Sequence, residues 1–119
     1  MKVVARRKVA PPHGAELYNY GVRWSEEDGA FVGRVAEFPS LAAHGPTLEA
    51  ALREIKFVVA DVLADLAGSG EPVPEPFSKR RFSGKFVVRV PEALHRELAI
   101  RASGEGVSLN QLVNSKLEK

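Results

Sequence analysis

The sequence predicts an α+β chain in two parts, a β-β-β-α layer followed by a strand and two short helices. Three observations carry this. Leu17 to Trp24 alternates apolar and polar residues, a long apolar stripe at helical spacing runs from Leu48 to Leu66, and prolines at every second position, Pro72, Pro74 and Pro76, separate the two parts. Proline lacks an N–H and has a locked φ, so that stretch is excluded from a helix and reads as an extended connector.

Within the first part, Tyr18, Tyr20, Val22 and Trp24 fall on one face of the alternating strand, which is therefore expected to be buried. Ser25-Glu26-Glu27-Asp28-Gly29 reads as a polar turn, because Asp and Gly tolerate positive φ. Ala30 to Phe38 is expected to pair back as a hairpin strand ended by Pro39, with Leu41 to His44 as a short third strand. Thr47 is a good helix N-cap, Glu49 lies in the positively polarised first turn, and Gly68 reads as the stop. Between them Leu48, Ala51, Leu52, Ile55, Val58, Val59, Val62, Leu63 and Leu66 form the stripe that must cover the hairpin. Phe57, Ala60 and Ala64 project to the opposite side, a small outward apolar patch suited to a partner.

In the second part, Lys85 to Val90 alternates, with Phe86, Val88 and Val90 on one side and Lys85, Val87 and Arg89 on the other. Pro91 suits a first helical turn, and Leu94, Leu98 and Ala102 share a face of the helix that follows. Gly104-Glu105-Gly106 breaks that helix, and Ser108 with Gln111 makes a capping box for a second one burying Leu109, Leu112 and Val113. One strand and two short helices bury too little surface to offset chain entropy, so a twofold dimer with paired strands is the simplest remedy. Such a ribbon displays Lys85, Val87 and Arg89 twice and fits the major groove.

The charge is divided the same way. The 119 residues carry a net charge of +2. Residues 1–14 hold Lys2, Arg6, Arg7 and Lys8 with no acid; residues 15–78 hold eleven acids against four bases, or −7; residues 79–119 hold nine bases against four acids, or +5. A basic block joined to an acidic one points to two surfaces aimed at different partners. With no cysteine, disulfide scaffolds, thiolate metal sites and cysteine nucleophiles are excluded. No apolar run reaches the ~20 residues of a membrane span, and none has the pattern of a signal peptide, so a cytoplasmic location is expected.

The run Phe86-Val87-Val88-Arg89-Val90-Pro91, the Leu94/Leu98 helix and Gly106-Val107-Ser108-Leu109-Asn110-Gln111-Leu112 resemble the ribbon-helix-helix DNA-binding repressors. That resemblance implies base reading by Lys85, Val87 and Arg89, and a phosphate held by main-chain N–H groups at Ser108, Leu109 and Asn110. Val87 departs from the polar residue often found at the middle position. Lys79, Arg80 and Arg81 add positive charge beside the ribbon in sequence.

Over residues 17–119 the chain also resembles the HicB antitoxins. The run from Tyr20 to Phe31, then Glu37-Phe38-Pro39-Ser40-Leu41, then Ala43 to Leu52, is similar to their N-terminal domain, and the Pro-Glu-Pro connector and Ser83-Gly84-Lys85-Phe86 entry fit as well. The resemblance implies a partial ribonuclease-H-like domain at 17–70, a proline-rich linker at 71–83 and a dimerising ribbon-helix-helix at 84–119, with residues 1–16 left as a basic arm. It implies an antitoxin that masks a HicA-type ribonuclease toxin and represses its operon by binding operator DNA. Partners are then the toxin, DNA and a second copy, with pairing into tetramers left open. Glu26, Glu27, Asp28, Glu54, Phe57 and Asp61 are the candidate toxin contacts. The alternative is a stand-alone repressor whose first domain senses a ligand or oligomerises.

An enzyme is not expected. Two-metal nuclease chemistry needs several carboxylates converging on ions about 4 Å apart, and of the acids only Glu37 lies in a predicted strand. His13, His44 and His95 lack metal-ligand spacing, and neither a metal nor a cofactor is expected.

Overall fold

The computed structural model describes residues 10–118 of the chain. They form two compact units that divide between Arg81 and Phe82. The first is a three-stranded antiparallel sheet of order β1-β2-β3 with one long helix, and the second holds two helices. The chain is thus α+β.

In the first unit β1 (Tyr20–Ser25) and β2 (Ala30–Val35) pair from Tyr20 opposite Val35 to Ser25 opposite Ala30. Gly29 closes the turn at φ 61°, and the Ser25 hydroxyl accepts from the Asp28 amide at 3.1 Å. β2 is shorter than expected. It ends at Val35: the Ala36 amide still bonds the Asn19 carbonyl in register, but the Asn19 amide goes to the Glu37 carboxylate and the Phe38 amide closes on Val35, so Glu37 sits in a turn rather than a strand. β3 (Ala42–Gly45) pairs with β2, with Gly45 opposite Phe31.

Helix α1 (Leu48–Ser69) begins where Thr47 Oγ1 accepts from the Ala50 amide at 3.0 Å. It runs past Gly68 and stops at Gly70, whose φ of 74° lets its amide cap the last carbonyls. Ala51, Ile55, Val59 and Leu63 are fully buried and, with Tyr18 and Val35, make the core. Leu48, in the first turn, is exposed. The helix lies close against the sheet because Gly33 and Gly45 have no side chain. A Cβ on Gly33 would meet the Ala51 carbonyl at 2.7 Å, and one on Gly45 the Ala51 amide at 2.5 Å. Trp24 belongs to the same face by register but is 48% exposed, since at the hairpin end its neighbour is the edge of Phe31, at a ring separation of 5.1 Å.

The proline-rich stretch packs on this unit instead of running free. Tyr18 OH donates to the Pro74 carbonyl at 2.6 Å, Ser78 Oγ donates to the Leu17 carbonyl at 2.9 Å, and Pro76 is fully buried. At the other end, Ala15–Leu17 form a 3-10 turn against α1, where the Ala15 carbonyl accepts from Tyr20 OH at 2.6 Å. The predicted basic arm therefore covers residues 10–16, which are described in part as this turn, and residues 1–9, which lie outside the described residues.

In the second unit α2 (Glu92–Glu105) follows Pro91 and stops at Gly106, φ 71°. α3 (Leu109–Leu117) opens with the capping box, Ser108 Oγ accepting from the Gln111 amide at 3.0 Å and Gln111 Oε1 from the Ser108 amide at 2.9 Å. Residues 85–90, expected as a strand, are extended without strand assignment and pair with no strand among the described residues.

Candidate functional site

Two surfaces collect the residues that carry charge and chemistry. The first is acidic. Glu26, Glu27 and Asp28 are exposed at the hairpin tip, where Asp28 Oδ2 lies 3.2 Å from His44 Nε2 on β3. The pairing of Phe31 with Gly45 sets this tip at the end of the sheet where α1 begins. Glu54, Phe57 and Asp61 lie on the outward side of α1, opposite the buried row, and Phe57 is 72% exposed. Successive helical residues turn by about 100°, which sets Glu54 and Asp61 in a line beside the stripe of Phe57, Ala60 and Ala64. Phe57 is thus a large exposed aromatic flanked by carboxylates.

The second is basic and lies in the 82–118 unit. Lys85, Val87 and Arg89 are exposed, Val87 at 91%. Ser83 Oγ accepts from the Lys85 amide at 3.1 Å, which fixes the turn into this segment. Ser108, Leu109 and Asn110 stand at the N-terminus of α3, a helix end that favours an anion, although the Ser108 amide is already taken by Gln111 Oε1. In this unit Ala102 and Leu112 are the buried side chains; Phe86 is 79% and Val88 66% exposed, and Val90, Leu94 and Ile100 are exposed too. Lys79, Arg80 and Arg81 belong to the other unit. Arg80 is held there, its Nε donating to the Glu75 carbonyl at 2.8 Å and its guanidinium 4.1 Å from the Phe77 ring.

Sequence reasoning missed one structural grouping. The Glu37 carboxylate, 8% exposed, accepts from the Asn19 amide at 3.0 Å, Asn19 Nδ2 at 2.9 Å and the Phe77 amide at 2.8 Å. Burial pushes its pKa up, but the bonds from Phe77 and Asn19 outweigh burial and hold it below the ordinary glutamate value. Tyr20 is pushed up to about 12, by burial first and then by Glu37, Glu16 and Tyr18, so its hydroxyl stays a donor. Glu37 reads from the sequence as a strand residue, and its partners, 18 and 40 positions away, leave no local signal. Among the described residues no group of three or more His, Cys, Asp or Glu is placed to hold a metal ion.

The fold is that of a two-unit α+β chain with one acidic and one basic exposed surface. The family model described as HicB family matches residues 67–117, from the end of α1 to the end of α3. The match is consistent with a toxin–antitoxin role at the family level. No curated protein and no solved structure matches the chain. No helix among the described residues is long and apolar enough to cross a membrane.

Proposed function

We propose that this chain is the antitoxin of a type II toxin–antitoxin pair. Its first unit, a partial ribonuclease-H-like layer, binds and neutralises a small basic HicA-type ribonuclease. Its tail, a ribbon-helix-helix over residues 84–119, dimerises and represses the operon encoding both proteins. The observation that carries the reading is the exposure of Phe86, Val88, Val90 and Leu94 in a unit too small to bury them itself. Two copies pairing residues 85–90 antiparallel would cover these side chains, satisfy both strand edges and leave Lys85, Val87 and Arg89 on the outer face of the ribbon. Arg and Lys hydrogen-bond guanine edges in the major groove, whereas Val87 offers apolar contact to a thymine methyl. The −7 charge of residues 15–78 complements a basic toxin, and the +5 of residues 79–119 complements DNA.

Co-expression with its neighbouring reading frame tests the proposal. A small basic protein should co-purify, and the purified chain should bind its upstream DNA as a dimer. Six phosphate contacts per dimer give a log–log salt slope of about −5. A flat salt response, or a tail that is monomeric and folded, overturns it.

A further inference from the structure

The outward face of α1 is complementary to itself. Successive helical residues turn by ~100°, so Glu54 and Asp61 fall ~60° and ~40° to one side of Phe57, and Arg53 and Lys56 ~40° and ~100° to the other. All five are exposed, Phe57 at 72%. A shallow depression beside Phe57 takes in Ala15 and Glu16 of the 3-10 turn with Arg53, Glu54, Lys56 and Ala60, so it lies mostly on the basic side. One copy of the chain thus carries a projecting ring with a hollow next to it, and an acidic flank with a basic one. Ala60 and Ala64 continue the exposed row, and side chains this small let a second helix approach to about 8 Å. Glu49, the acid on the basic side, has Arg53 one turn further on to offset it.

We propose that this face joins the first units of two copies of the chain, their α1 helices lying parallel across a twofold axis that runs along them. Such an axis brings unlike flanks together. Lys56 of each copy comes opposite Asp61 of the other, five positions on, the spacing at which flanking charges pair across parallel helices, and Arg53 comes near Glu54. A twofold axis across the helices would instead set acid against acid. The two Phe57 rings meet at the axis, each entering the depression of the other copy. The contact is separate from pairing of the tails and needs neither toxin nor DNA. One helix pair buries less than the roughly 1,200 Å² of a stable interface, so by itself the contact is short-lived and is best trapped covalently. A partner that uses Phe57 competes with the second copy for the same ring.

The chain has no cysteine, so a single introduced thiol is unique. Across the proposed axis two Ala60→Cys residues come within disulfide reach, a Cα separation of about 5–6 Å. Under mild oxidation of the whole chain, Ala60→Cys should form a covalent dimer at least ~ten-fold faster than Ala42→Cys, which is exposed on the other face of the sheet. Adding Lys56→Glu or Asp61→Lys to Ala60→Cys puts like charges together at both contacts and should slow cross-linking about ten-fold. Mixing those two variants restores both contacts, and the mixed dimer, identified by mass, should form at close to the rate of Ala60→Cys alone. Equal rates in Ala60→Cys and Ala42→Cys, or a mixture no faster than either charge variant by itself, overturn the proposal. Tails that pair without this contact would bring the thiols together whatever the charges at 56 and 61, so such a result leaves the reading of the tail standing.

Discussion

The Glu37 carboxylate accepts the amide proton of Phe77 at 2.8 Å across forty positions of sequence. The same carboxylate takes both nitrogens offered by Asn19. One buried acid thus joins the entry to the sheet, the exit from β2 and the proline-rich stretch, and its lone pairs are occupied by donors that favour its charged form.

Glu37→Gln should lower the stability of the first unit by about 1–3 kcal/mol at neutral pH, since a charge-assisted set of bonds is weakened in a buried place. The folded carboxyl titrates below its ordinary value of 4.5, so its contribution is complete above that pH and is lost as pH falls through the lower, folded value. Thermal melts should show the parent falling toward Glu37→Gln as the pH drops below about 4.5. Parallel curves would mean that the carboxylate is not the acid-sensitive group.

Alkali should act on the tyrosines. Tyr18 is raised by burial and then by Glu37, against a lowering effect of Arg80, and Tyr20 is raised to about 12. Both hydroxyls donate to carbonyls, of Pro74 and Ala15. Their stabilisation is complete below the ordinary tyrosine value near 10 and is lost as pH rises through the folded values. Tyr18→Phe and Tyr20→Phe should each cost about 0.5–1.5 kcal/mol in urea melts at pH 7. In Tyr20→Phe the decline between pH 10 and 12 should flatten, and an unchanged decline refutes the assignment.

Gly45→Ala should be worse than Gly33→Ala. The added Cβ on Gly45 meets backbone atoms of Ala50 and Ala51, which cannot turn aside, whereas on Gly33 two of the three nearest atoms belong to the Ile55 side chain. Overpacking costs roughly 1–3 kcal/mol, and Gly45→Ala should lie at or above the upper end. Equal midpoints in denaturant melts would show that the sheet and α1 part more easily than their contact implies.

Arg89→Ala should weaken operator binding by about 1–3 kcal/mol and leave toxin neutralisation intact. Val88→Asp places a charge in the proposed dimer seam and should leave a monomer by sedimentation, with DNA binding lost. Loss of neutralisation in Arg89→Ala as well would mean that one surface serves both partners.

Much of the fold is legible because it rests on local pattern. Thr47 caps α1 and Ile55, Val59 and Leu63 bury completely, as 3.6-residue periodicity requires, and the Ser108/Gln111 box is a signature four residues long. Errors fall where distant contacts decide. Alternation carries a strand reading on to Phe38, but the Glu37 carboxylate takes the Asn19 amide and the Phe38 amide closes on Val35. Gly68 and Gly70 are equally good stops by type, and only the second adopts positive φ. The packing of Pro74, Pro76 and Ser78 rests on Tyr18, Leu17 and Glu37, whose partnership no spacing rule encodes. As for the candidate interfaces, the exposed residues of α1 follow from periodicity, whereas residues 85–90 are exposed on both sides without the strand their alternation predicts, and the Asp28–His44 contact and the capture of Arg80 by Phe77 follow from no local pattern.

Three consecutive cationic residues, Lys79 to Arg81, offer a trypsin-like protease its preferred cleavage chemistry, yet they follow directly on Phe77 and Ser78, which Glu37 and Leu17 hold in place. Cutting requires an extended, yielding backbone, so the rate of scission at that spot is governed by how often a carboxylate forty positions upstream lets go. The durability of the intact polypeptide, and with it the joining of its acidic and basic halves, is written into the packing of a small sheet.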